Sequence, residues 1–286
     1  MKKILAIVLA IITVVGCVFA FTACNDTEET TLTLATNAEF APYEYKIGNK
    51  YYGIDMEIAK ILAEELGMKL VISDMDFNAV VTSVQQGDAD IGLSCLTITP
   101  VRQQSVTFSI PYEEGASQVL IVKNDNTAFD ACTTTDQVLA VFAAMQSEVN
   151  IGVQKGTTGK DFVAGDDEIG FTGIPNAEAS EFNNGALAVQ DLKNGGVQYV
   201  VIDKAVANSL VAQNPNDIKV IDVDLTTEQY AIGVNKDKPE LLEKINAVLT
   251  KIKNDGTLDA IYAAYANVGE DGDTAPTSDK YVGIEG

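Results

Sequence analysis

Gly53-Ile54-Asp55-Met56-Glu57-Ile58-Ala59-Lys60-Ile61-Leu62-Ala63-Glu64-Glu65-Leu66-Gly67, followed by Met68-Lys69-Leu70-Val71-Ile72, decides how the rest of the chain is read. Ile58, Ala59, Ile61, Leu62 and Leu66 fall on one face of a helix running from about Asp55 to Leu66, and Gly67 stops it. Lys69-Leu70-Val71-Ile72 then reads as a strand. A helix feeding a short apolar strand is one unit of a mostly parallel sheet flanked by helices, and the same alternation extends in both directions.

Before this unit, Leu32 to Thr36 reads as a first strand and Phe40-Ala41-Pro42-Tyr43 as a turn-rich aromatic loop. After it, Phe77 to Gln86 carries Val80, Val81 and Val84 at helical spacing, and Ile91-Gly92-Leu93-Ser94 is a buried strand. That makes a first βαβαβ lobe, followed by a polar loop with Pro100 and Arg102 and the apolar strand Val119 to Val122. A second lobe repeats the plan with a helix over Val138–Met145, a strand at Asn150–Val153 and a glycine-threonine turn at Lys155–Gly159. It continues with a helix over Ala186–Lys193, the strand Tyr199–Asp203, and further strands at Ile218–Ile221 and Tyr230–Val234. Helices from Pro239 to Lys253 and Leu258 to Ala266 follow. Residues 269–286 hold few apolar side chains, so a poorly ordered tail is expected.

The 286 residues carry a formal net charge of −22 and no histidine. Met1-Lys2-Lys3 followed by the apolar run Ile4–Ala20 is a signal sequence. Its loss takes two lysines and no acids with it, which leaves a body at −24. Nucleic acid does not suit such a charge. The acids are dispersed, which fits a solvated surface. Without histidine, His-based triads are excluded and the commonest metal ligand is missing. No phosphate-loop or cysteine-pair metal motif occurs. Neither a metal nor a cofactor is expected.

Gly16-Cys17 and Ala23-Cys24 both resemble lipoprotein cleavage sites. The polar run Asn25–Thr30 favours Cys24 as the lipidated residue, with residues 1–24 as leader and 25–30 as tether. An uncleaved anchor is the competing reading, since the run approaches the ~20 residues of a spanning helix. Either way the body lies outside the cytoplasm at a membrane. Cys95 and Cys132 are expected as free thiols.

Several motifs now stand together. Gly53-Ile54-Asp55-Met56-Glu57-Ile58, Gln86-Gly87-Asp88-Ala89-Asp90, Leu96-Thr97-Ile98-Thr99-Pro100-Val101-Arg102, Phe108-Ser109-Ile110-Pro111-Tyr112, Lys155-Gly156-Thr157-Thr158-Gly159 and Asp255-Gly256-Thr257-Leu258 occur in this order. The chain from Leu32 to Ala266 thereby resembles the polar amino-acid (family 3) extracellular solute-binding proteins of ABC importers. The resemblance implies an α/β, two-lobed fold of the type II periplasmic-binding-protein kind with two hinge strands. By that analogy lobe 1 is residues 31–119 plus 225–268 and lobe 2 is 120–224, with hinges at Gln118–Leu120 and Val223–Leu225. The implied function is capture of a polar amino acid by lobe closure and delivery to an ABC permease, by a monomer lipid-anchored at the extracellular face of the membrane.

A buried zwitterion needs a fork for its carboxylate and an acceptor for its ammonium. Arg102 suits the first role and Asp203, at the carboxyl end of a strand, the second. Residues at matching positions have these roles in the family. Ser94 and Thr97 would add donors and acceptors from lobe 1, and Thr157 and Thr158 would present N–H groups and hydroxyls at a helix start. Phe40 and Phe77 match aromatic walls around the ligand side chain, and Asn37 a position at its far end. Cys95 stands where the family usually has Gly and would line the pocket floor. Each has a plainer reading: Arg102 in a surface ion pair, Asp203, Thr157 and Thr158 as turn or cap residues, the phenylalanines as core, Asn37 as structural. The neutral Asn37 favours a neutral polar ligand such as glutamine over a cationic one. Two rivals share the fold: a ligand-sensing receptor domain, and a cleft dehydratase using Glu39, Glu113, Glu114 or Asp203. No catalytic pair is recognisable among those four, so the chain is read as a binding protein and not an enzyme.

Overall fold

The structure is a computed structural model, and it describes residues 30–266, 268, 276 and 280–285. Thr31–Gly286 forms a compact unit of its own. The signal sequence, Cys17, Cys24 and most of the tether lie outside the described residues.

In chain order, β1 (Thr31–Thr36) is followed by the short strands β2 (Glu39–Phe40), β3 (Glu44–Ile47) and β4 (Lys50–Tyr52) and by helix α1 (Ile54–Leu66). Gly53 opens α1 at φ 125°, where a Cβ would overlap the Tyr43 carbonyl, so the start of this motif admits only glycine. Gly67 closes the helix in the left-handed region, its backbone capping Ala63 and Glu64. The inward face of α1 buries Ile54, Met56, Ile58, Ala59 and Leu62. Each large apolar side chain so buried contributes about 1.5–3 kcal/mol relative to exposure.

Next come β5 (Lys69–Asp74), α2 (Phe77–Gln86), β6 (Ile91–Gly92), the short helix α3 (Pro100–Ser105) and β7 (Thr107–Phe108). Strand β8 (Glu113–Ala116) leads out of this lobe into β9 (Gln118–Lys123). The second lobe continues through α4 (Thr135–Ala143), β10 (Val149–Gln154), α5 (Thr158–Ala164), β11 (Ala177–Phe182), α6 (Gly185–Asn194), β12 (Tyr199–Asp203), α7 (Lys204–Gln213) and β13 (Ile218–Ile221). Strand β14 (Glu228–Tyr230) returns the chain to β15 (Gly233–Val234), α8 (Pro239–Asn254) and α9 (Thr257–Tyr265).

Two five-stranded sheets result, ordered β5-β1-β6-β15-β7 and β11-β10-β12-β9-β13. In the first, β1 is parallel to β5 and β6, and the returning β15 is antiparallel to β6. In the second, β10 is parallel to β11 and β12, and the entering β9 is antiparallel to β12 and β13. The chain thus crosses between the sheets twice, and the crossings meet where β8 and β14 pair antiparallel.

Three local expectations change. The segment read as one strand over Tyr230–Val234 is two, because β14 belongs to the crossing and β15 to the first sheet. The turn expected after Phe40 is present at residues 41–43, but it is the first turn of a meander of β2, β3 and β4 that the sequence did not show. The far end of the tail is ordered: Tyr281 is buried against Tyr265 at 5.9 Å between ring centroids, and Ile284–Glu285 (β16) pairs with β4. One aromatic contact and a two-residue strand pairing hold it there despite a polar composition.

Candidate functional site

The carboxyl ends of β1, β6, β10 and β12 converge with the two crossing strands, and the sequence-expected residues other than Phe40 gather at this junction. The turn after β6 carries Ser94, Cys95 and Thr97, all buried. Cys95 sits at φ 50°, in the left-handed region that favours glycine. This gives a backbone reason for the glycine the family resemblance leads one to expect at this position. Pro100 starts α3, and Thr99 caps it by accepting from the Arg102 N–H at 3.2 Å. This cap turns the half-buried Arg102 side chain back across the junction.

The Arg102 guanidinium donates from Nη1 to the Thr97 carbonyl at 2.9 Å and from Nη2 to the Gly156 carbonyl of the other lobe at 3.1 Å. It lies 5.4 Å over the Phe77 ring. Burial lowers its pKa, while Glu228, Asp161 and Asp203 oppose that shift. None of its bonds is a surface ion pair. On the facing lobe, Thr157 caps α5, accepting from Lys160 N–H and donating to the Gln154 carbonyl at 2.8 Å. Thr158 and Thr97, from opposite lobes, both donate to Glu228 Oε2, at 2.8 and 2.6 Å.

Asp203 ends β12 and is buried, with Gln118 directly opposite it in the sheet. Its carboxylate accepts from the Tyr230 phenol. Burial, helped by the nearby Glu228 carboxylate, pushes Asp203 up to about 7, while hydrogen bonds from Tyr230 and Gln118 pull it back. Asp203 precedes α7 but makes no side-chain cap, so the plain capping reading does not apply.

Asn37 is buried at the other end of the junction. Its Nδ2 donates to the Met75 carbonyl at 3.0 Å, and its Oδ1 accepts from Gln154 Nε2 of the other lobe at 3.0 Å. Gln154 Oε1 is buried and takes no hydrogen bond. Phe40 is buried in the core of the first lobe, whereas Phe77 is half-exposed beneath Arg102. Cross-lobe bonds therefore close the junction, among them Arg102 to Gly156, Thr158 to Glu228, Gln154 to Asn37, Tyr230 to Asp203, and Asn184 Nδ2 to Glu39 Oε2 at 3.0 Å.

Beneath the floor lies a second buried group. Ser94 Oγ donates to Glu44 Oε1 at 2.7 Å, and Asp55 Oδ2 accepts from the Cys95 N–H at 3.0 Å and the Tyr112 phenol at 3.1 Å. The Cys95 thiol is turned to Glu44 Oε2 at 3.7 Å. Burial and the neighbouring Asp55 hold the Glu44 carboxyl well above its ordinary value, burial pushes Asp55 up to about 7, and burial pushes the thiol up. Glu44, Asp55 and Cys95 have ligand atoms within 4.8 Å of one another, the one grouping among the described residues with the donors to hold a metal ion. Their raised pKa values favour the protonated forms, which bind metal poorly. Cys95 and Cys132 are both free thiols.

The carboxylates weighed for acid–base chemistry do not converge. Glu39 is engaged with Asn184, Glu113 Oε1 accepts from the N–H groups of Glu114 and Gly115 at 2.9 Å, and Glu114 pairs with Lys253 at 2.9 Å. Sequence reasoning missed Gln118, Glu228 and Tyr230. The signal was present, because Glu228 and Tyr230 stand two apart on one strand and so share a face, but nothing local marks that face as the one turned to the junction.

Comparison with known proteins agrees with this architecture. The chain belongs to the bacterial extracellular solute-binding proteins, family 3, whose model matches residues 32–268. It is 29% identical over 270 residues to the arginine-binding extracellular protein ArtP of Bacillus subtilis, covering 91% of this chain and 96% of that one. It is 33% identical over 238 residues to a probable histidine-binding protein of Neisseria gonorrhoeae, covering 81% of each. Among solved structures, a mutant of ArgBP from T. maritima superposes with a TM-score of 0.72 at 32% identity, covering 84% of this chain and 97% of that chain.

Proposed function

We propose that this protein is the extracellular binding component of an ABC importer, and that it takes a polar amino acid between its lobes and passes it to a membrane permease. The observation that carries this reading is the pairing, in one buried junction between two lobes, of a guanidinium with free N–H donors and a buried carboxylate. Arg102 would receive the ligand's carboxylate and Asp203 its ammonium group. Thr97 and Thr158 would exchange their bonds to Glu228 for bonds to the ligand, and Ser94, Cys95 and Thr157 shape the floor and the opposite wall. Asn37 and Gln154 would meet the ligand's side chain with amide groups, and Phe40 and Phe77 would flank it. The names of the relatives, which concern arginine and histidine, support a polar amino acid.

Lipid attached at Cys24 would hold the protein at the extracellular face, with residues 25–30 as tether and lobe 2 at residues 120–224 between the two parts of lobe 1. Thermal unfolding of residues 25–286 against the amino acids one by one tests the reading. A ligand present at 100 times its dissociation constant adds about 2.7 kcal/mol to stability. Absence of a shift with any polar amino acid would refute it.

A further inference from the structure

We propose that Tyr230 is a positioning residue for ligand binding: its phenol, mounted on the returning crossing strand, holds the Asp203 carboxylate oriented as the acceptor for the ligand's ammonium group. The inference rests on the amino-acid reading of the site and adds a part to it.

Tyr230 has little freedom to do anything else. It is buried, its ring packs edge-on to Tyr43 at 5.6 Å and tilted to Tyr112 at 6.4 Å, and its carbonyl accepts from the Tyr112 N–H at 3.0 Å. Its backbone also bridges to Thr97, so the phenol is fixed relative to the floor of the first lobe. Asp203, by contrast, is the last residue of a strand of the second lobe. The Tyr230–Asp203 bond therefore joins a fixed donor of one lobe to the acceptor of the other. Glu228, on the same strand face, similarly engages Thr97 and Thr158. From the outgoing crossing, Gln118 donates to Thr158 Oγ1 at 3.3 Å and stands directly opposite Asp203 in the sheet. Gly159 leaves room for that amide, since a Cβ there would stand 2.7 Å from Gln118 Oε1. The two crossing strands thus flank the same carboxylate, and the returning one grips it through Tyr230.

The grip matters because Asp203 is poorly placed to stay ionised on its own. It faces Glu228 on β14, the Cys95 thiol lies beneath the floor within its electrostatic reach, and Arg102 on α3 is the guanidinium that acts on it. Burial and Glu228 favour the neutral acid, and the Tyr230 hydrogen bond favours the carboxylate. Only the carboxylate offers both oxygens to an ammonium group. The phenol itself stays protonated throughout, because burial and Asp203 hold its own pKa well above the usual tyrosine value.

Tyr230→Phe removes the donor and keeps the ring with its packing. Each pKa unit by which Asp203 rises reduces the carboxylate fraction about tenfold at low pH. In calorimetric titration with a polar amino acid that the wild type binds, the variant should bind at least about tenfold more weakly at pH 6, and the deficit should shrink by pH 8.5. A deficit that is the same at every pH, or none at all, would overturn the proposal. A second readout needs no ligand: a carboxyl-carbon NMR titration of Asp203 should show its midpoint raised in Tyr230→Phe, and an unmoved midpoint overturns the proposal even if the amino-acid reading stands. A wild type that binds no amino acid, with the midpoint raised as expected, would refute the assignment of the site's ligand and leave the Tyr230–Asp203 coupling in place.

Discussion

Replacing Asp55 with Asn tests the carboxyl pair beneath the floor through the pH dependence of stability. Burial pushes Asp55 up to about 7, against roughly 3.9 for an aspartate in an unfolded chain. Above pH 4 the folded protein therefore keeps a proton that the unfolded chain releases. A raised folded value gives stability that is fully present below the unfolded pKa and is lost as pH rises through the folded one. Between pH 4.5 and 7.5 that loss amounts to about 3 kcal/mol from this one group. In Asp55→Asn the amide oxygen still accepts from the Cys95 N–H and the Tyr112 phenol, so the fold is retained and the slope is lost. Urea unfolding of both proteins across this range isolates the effect, since the acids other than Glu44 are common to both and cancel in the difference, and loss of the Asp55 charge that raises Glu44 moves the difference in the same direction. The stability of wild type minus variant should fall by about 3 kcal/mol from pH 4.5 to 7.5. A difference that stays constant, or grows with pH, would refute the reasoning.

Two further substitutions probe other parts of the account. Gly53→Ala puts a Cβ onto the Tyr43 carbonyl at a φ of 125° and should destabilise the protein by more than about 3 kcal/mol; an unchanged urea midpoint would contradict the role given to this glycine. Asn37→Asp adds a carboxylate beside Gln154 and should raise affinity for arginine relative to glutamine about fivefold or more; equal ratios in competitive titration would remove Asn37 from the side-chain end of the site.

The sequence made the main elements legible wherever periodicity and a stop signal coincided. The helix over Ile54–Leu66 between Gly53 and Gly67, the helix Phe77–Gln86 and the strand Tyr199–Asp203 follow from apolar spacing and glycine placement. The apolar run Ile91-Gly92-Leu93-Ser94 marked β6 although it is only two residues long, whereas β7 and β11 carry no readable signal, β7 because two residues show no period and β11 because Glu178, Ser180 and Glu181 interrupt its apolar pattern. The residue types expected at the site were readable from motifs, yet their mutual arrangement was not. That Thr97 and Thr158 share Glu228, 131 and 70 residues away from it, depends on both crossings. That Cys95 turns its thiol from the cleft toward Glu44 depends on a left-handed backbone at one position. Long-range pairing of polar groups carries no local pattern, and the polar residues on the crossing strands went unassigned for that reason.

The central claim is that one guanidinium in this junction receives an amino-acid carboxylate. Calorimetric titration of wild type and Arg102→Ala with the polar amino acid that most raises the unfolding midpoint tests it most directly. Two charge-assisted bonds at about 1.5–3 kcal/mol each predict that the variant binds at least about a hundredfold more weakly. Equal affinity in the two proteins would contradict the account.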